Sequence, residues 1–121
     1  MHKIQHIIHY IVAHFNSEPK KLSKVKLAKI LWFCEREFMY KTHKRLSDIE
    51  FVRMPFGPVP KKYDSILKDM QEKGIIHSFE ILNFEKKQKS FHSLKEPDLS
   101  VFSAKEISII DSVIYELKDK N

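Results

Sequence analysis

Seven histidines, one cysteine and a few closely spaced carboxylates are the side chains of this 121-residue chain that could do chemistry. His2, His6 and His9 fall at i, i+4 and i+7 of a helical stretch, and the first of these spacings is one that zinc uses. No carboxylate stands in register with them and their row lies opposite an isoleucine stripe, so they read as a solvent-facing polar face and not as metal ligands. Cys34 sits in an apolar run, where a thiol behaves as a small hydrophobe. The sequence holds no Gly-x-Ser-x-Gly elbow and no other nucleophile beside a base. Glu35 and Glu37, or Asp48 and Glu50, are two positions apart, and on a helix that spacing points their carboxylates away from each other. The two glycines, Gly57 and Gly74, are too few and too distant to cradle a phosphate. No catalytic residue, metal or cofactor is expected, which makes an enzyme the weakest class and binding the chemistry to look for.

Charge points the same way. The formal net charge is +6, with ten Lys and Arg against three Asp and Glu in residues 1–45, and three against six in residues 96–121. A basic half suits an acidic partner, either nucleic acid or a protein surface, and it also serves solubility. Lys20, Lys21, Lys24, Lys26 and Lys29 run into one helix, Lys41, Lys44 and Arg45 follow its end, and Lys86, Lys87 and Lys89 tip a later hairpin. The three clusters are candidates for one phosphate-binding patch.

The elements that must position these groups follow from periodicity. Ile4, Ile7, Ile8, Ile11, Val12 and Phe15 form one face of a first helix ending before Asn16. Ser23 is a cap for a second helix running to about Thr42, whose middle turn is nearly all apolar and which is therefore central; Trp32 and Phe33 are expected in its core face. Tyr63, Ile66, Leu67 and Met70 stripe a third helix that Pro58 and Pro60 open and Gly74 stops. Residues 75–82 and 90–94 read as strands of a β-hairpin with a basic tip at residues 85–89, and Ser103 with Glu106 makes a capping box for a last helix through Leu117. A hydrophobic content of 42% at this length supports one core, so residues 1–121 are read as a single domain. The expected fold is α+β and mostly helical, with four to five helices, a small hairpin and a winged-helix-like order. In that order the third helix, with Lys61 and Lys62, and the hairpin, with Lys86, Lys87 and Lys89, would face DNA. Against this, Asp64, Asp69 and Glu72 offset the lysines of the third helix. With no apolar window of membrane-spanning length, no signal-peptide pattern and a lone cysteine, the expected location is the cytoplasm.

Residues 51–60 carry three prolines and Gly57 among apolar side chains, which predicts a rigid, non-repetitive turn. Met54, Phe56 and Val59 either pack this turn onto the core or contact a partner, and Arg53 either clamps backbone carbonyls or meets a partner's carboxylate. Together with Leu27, Ala28, Lys29, Ile30, Leu31, Trp32 and Phe33 and the later Tyr63, this stretch resembles the Panacea, or SocA-like, antitoxin domain family, whose members were also described as phage-associated, GepA-like proteins. The family pattern is a Lys-Leu-Leu-Tyr-Phe-like helix, an aromatic-Gly-Pro-Val turn and a helix with an early tyrosine; here Ile30 and Trp32 stand for the usual Leu and Tyr. The resemblance runs over about residues 4–117.

What it implies is an antitoxin that neutralises a co-encoded toxin by direct contact, with Lys29, Trp32, Arg53, Met54, Phe56, Gly57, Pro58, Val59 and Tyr63 as the partner-binding or motif positions. A proteolytic adaptor that delivers its toxin to a protease is the variant that at least one member implies. The reading from another class is a winged-helix transcriptional regulator.

Overall fold

The isoleucines of the N-terminal stretch set the first element in the computed structural model, which describes residues 1–120. Helix α1, Lys3–His14, buries Ile4, Ile7, Ile8 and Ile11, and its first turn is closed by the Gln5 side chain, which accepts from the His2 N–H at 3.1 Å. Helix α2, Lys24–Thr42, begins where the Ser23 hydroxyl accepts from the Lys26 N–H at 3.0 Å. Helix α3, Tyr63–Glu72, ends in a Schellman motif: Gly74, at φ +71°, donates to the Gln71 carbonyl, and Ile75 donates to Met70. Helix α4, Ala104–Leu117, starts with the expected Ser103 and Glu106 capping box. Single 3-10 turns occupy Pro19–Lys21 and Leu99–Val101. Apolar faces of α1, α2 and α4 meet in one core with Met70, Ile76 and Phe91. Polar ties brace it: the Tyr10 hydroxyl donates to Asp111 at 2.6 Å, and Gln5 donates to Asp69 at 2.9 Å.

Residues 51–60 are not the non-repetitive turn that their prolines suggest. They form a tight antiparallel hairpin of β1, Phe51–Met54, and β2, Gly57–Pro60, joined by Pro55 and Phe56. Lys61 donates to the Glu50 carbonyl at 2.7 Å, which fixes the phase of the ladder: the pairs Val52 with Val59 and Met54 with Gly57 are hydrogen-bonded, and Pro58 and Pro60 occupy the alternate pairs. At those positions the backbone N–H points away from the partner strand, so proline loses nothing. It also lets β2 lie against α2, with Pro60 buried, without stranding a donor. Pro58 and Pro60 therefore belong to a strand and do not open α3, which starts at Tyr63 behind Lys62 in the left-handed region.

A second hairpin pairs β3, Ile76–Asn83, with β4, Lys86–Ser93, over eight residues each. Its turn is Phe84 and Glu85, both at positive φ, and not residues 85–89. Lys86, Lys87 and Lys89 consequently lie on β4 and not at a basic tip; the tip residue is Phe84, 93% exposed. The result is a mostly helical α+β fold of four helices and two small antiparallel sheets, in the order helix, helix, hairpin, helix, hairpin, helix. The succession of three helices and a hairpin expected of a winged-helix-like order is interrupted by an additional hairpin between α2 and α3 and followed by α4.

Candidate functional site

Between α2 and the first hairpin lies a half-open groove of about 840 Å³. One wall is the outer ridge of α2, where Val25, Lys29, Trp32 and Phe33 follow at helical spacing; the other is the hairpin, which contributes Val52, Met54, Phe56 and the whole of β2. The floor is closed by Tyr63, which is buried and whose hydroxyl donates to the Lys24 carbonyl at 2.8 Å, pinning the start of α3 to the start of α2. Burial, assisted by the neighbouring Asp64, pushes this phenol well above its ordinary range, so it stays a donor. Gly57 sits at φ +115°, and a side chain there would meet no atom within 4 Å; glycine is required by backbone conformation and not by crowding.

Charge at the groove does not cancel. Lys24 is hydrogen-bonded to Asp64 and holds that carboxyl below its ordinary value, so the lining's one acid is already engaged. Lys29 and Lys62 form no ion pair among the described residues and are exposed at the rim. Arg36 lies over the Trp32 ring at 5.7 Å, and Phe51 packs at a tilt against the same indole with centroids 5.2 Å apart, so two neighbours hold the ring in place. Apolar walls and unspent cations describe a cleft suited to binding.

The structure brings eight of the nine motif positions into this groove: Lys29, Trp32, Met54, Phe56, Gly57, Pro58, Val59 and Tyr63. Arg53 is left out. It is exposed on the hairpin and clamps no carbonyl among the described residues. Two packing expectations are corrected. Phe56 is 80% exposed and Met54 49% exposed, so of the three apolar hairpin residues only Val59 packs against the core. Trp32 is only half-buried and Phe33 is 41% exposed, because the apolar middle of α2 is wider than the core it serves and the surplus lines the groove.

The alternative phosphate-binding residues are more scattered. On and around α3, Lys61 pairs with Glu50 at 3.7 Å, Lys68 with Glu72 at 4.0 Å and Lys73 with Asp69 at 3.0 Å, which leaves Lys62 as the unpaired lysine there among the described residues. Gln88 donates to the Lys20 carbonyl at 2.9 Å, which sets β4, with Lys86, Lys87 and Lys89, beside the cluster at Lys20. Lys41, Lys44 and Arg45 lie at the far end of α2, about 27 Å away by helix rise. Two clusters adjoin and the third stands apart.

Two structural residues escaped the sequence reading. Glu35 is buried, and its carboxylate accepts from the N–H of Leu46 at 2.6 Å, the N–H of Ser47 at 3.2 Å and the Ser47 hydroxyl at 2.7 Å, which folds the segment before β1 back onto α2. The available signal was an acid directly following the apolar run from Ile30 to Cys34, on the side of α2 that also carries the buried Leu31 and Phe38. His9 is 3% exposed and not part of a solvent-facing row; its Nε2 lies 3.0 Å from the Ser93 hydroxyl and 2.9 Å from the Lys95 carbonyl. Cys34 is buried, and burial raises its thiol pKa. Among the described residues no three His, Cys, Asp or Glu side chains cluster to hold a metal ion, and no helix is long and apolar enough to cross a membrane.

The helical scaffold thus presents an apolar hairpin beside a ridge of α2 that is rimmed by lysines. The chain matches the antitoxin SocA-like Panacea domain over residues 27–121, from the second turn of α2 onward. It belongs to that family. Comparison with curated proteins and with solved structures gave no match.

Proposed function

We propose that this chain is an antitoxin that neutralises a co-encoded toxin by direct protein–protein binding, with residues 1–121 acting as one unit in the cytoplasm and no catalytic step of its own. The observation that carries this is the convergence of Lys29, Trp32, Met54, Phe56 and Val59 on one groove, with Phe56 held out to solvent by a two-residue hairpin loop. A rigid apolar anchor loses little conformational entropy on docking, which favours a binding role for the hairpin. The test is co-expression with the product of the neighbouring gene. That product alone should arrest growth, the pair should grow, and the two chains should co-purify; arrest that persists in the presence of this chain, with no complex recovered, refutes the proposal.

A further inference from the structure

We infer that the groove's occupant is an acidic, amphipathic segment of the toxin: a polypeptide stretch that presents apolar anchors flanked by Asp or Glu. This rests on the toxin-binding proposal and adds the chemistry by which the toxin is held. Charge complementarity is the argument. The lining contains three lysines and one aspartate, and Asp64 is taken by Lys24. Lys29 on α2 and Lys62 before α3 thus line the groove beside its apolar walls, with no ion pair to an acid of their own chain among the described residues. A neutral apolar segment would leave both ammonium groups beside desolvated surface without a partner, whereas flanking carboxylates would meet them.

A nucleic acid fits this groove less well than a polypeptide. A phosphodiester needs cations along its path, and most of the lining is apolar. Phe56 offers an exposed ring for stacking, but among the described lining residues only Lys29 and Lys62 are free to meet the phosphates that would run beside it.

The experiment uses the full chain and a fluorescein-labelled peptide in which Leu and Phe anchors are flanked by Asp and Glu, with a twin carrying Lys at every acidic position. Fluorescence anisotropy should show binding of the acidic peptide and none of the twin. The exposed-site double substitution Lys29→Glu with Lys62→Glu should weaken the acidic peptide about tenfold or more, the effect of two lost ion pairs and added repulsion. Phe56→Ser should weaken it as well, with all variants melting like the parent chain. Equal binding of both peptides, displacement by a thymidine oligonucleotide, or self-association through Phe56 seen in sedimentation would each overturn the inference. The co-expression assay separates it from the antitoxin proposal. A double variant that relieves growth arrest as well as the parent chain leaves toxin binding intact and removes acidic recognition. A parent chain that binds the acidic peptide but relieves no arrest does the reverse.

Discussion

Removing the Glu35 carboxylate should cost this protein a large share of its stability while touching no groove residue. In Glu35→Ala the N–H groups of Leu46 and Ser47 lose their acceptor inside a region where both residues are buried. Each orphaned donor costs about 1–3 kcal/mol, and hydrogen bonds to a charged acceptor stand at the upper end of that range, so the pair with the Ser47 hydroxyl should amount to about 4 kcal/mol. An unfolding entropy of about 2.1 cal/mol/K per residue gives a chain of this size about 0.25 kcal/mol/K, and the melting temperature should fall by about 15 °C. Glu35→Gln keeps the shape and one acceptor oxygen but turns an NH₂ toward donors, and should fall in between. Thermal unfolding followed by circular dichroism measures the loss. Limited trypsin digestion adds a local readout, because the segment that Glu35 holds contains exposed Lys44 and Arg45 and leads into β1. An Ala variant that melts within about 1 kcal/mol of the parent, or that resists trypsin equally, would refute the clamp.

Phe56→Ser should leave stability within about 0.5 kcal/mol, since the side chain is exposed, yet lower partner affinity about 30-fold or more as expected of an interface anchor; matched melting curves and a binding titration separate the two. Gly57→Ala should cost about 1–2 kcal/mol by denaturant unfolding, purely through the backbone, because no atom lies near enough to clash. Acidification should act in two stages. Burial holds the His6 imidazole below its ordinary 6.5, so the unfolded chain takes up that proton first and stability begins to fall once the pH drops under that value; His6→Asn should remove this limb from a pH series of melting temperatures. The Asp64 carboxyl is held below 3.8 by Lys24, so its contribution is complete above that value and disappears as pH falls through the lowered native one; Lys24→Met should make the acid limb shallower.

Helices α1, α2 and α4 were legible in the sequence because their signals are local: isoleucine spacing, a Ser23 cap and a Ser103 capping box each act within a few residues. The hairpins were harder. Prolines at Pro55, Pro58 and Pro60 argue against a strand unless the hydrogen-bond phase is known, and that phase is set by a backbone bond from Lys61 to Glu50 across the pair. The β3–β4 turn was misplaced because Phe84 and Glu85 adopt positive φ, where glycine or asparagine is the usual marker. Eight of the nine motif positions meet at one groove, but their exposure was not legible. Apolar residues such as Trp32, Phe33 and Phe56 look alike in a sequence whether they fill a core or line a cleft, and only the width of the opposing surface decides. His9 and Glu35 owe their burial to residues 84 and 11 positions away, beyond any periodicity.

The placement of Pro58 and Pro60 has a consequence for how the protein behaves when crowded. A two-stranded sheet has two rims on which further strands can grow, and a chain that holds Phe56 and Met54 in water risks stacking copy upon copy into an endless ladder. At its outward positions the β2 rim can accept but not donate, so an added strand finds only half its hydrogen bonds there and pairs more readily at β1. There Arg53 places a positive charge in the path of an identical arriving strand. The same residues that stiffen the hairpin thereby weaken the rim through which an exposed apolar surface could be extended.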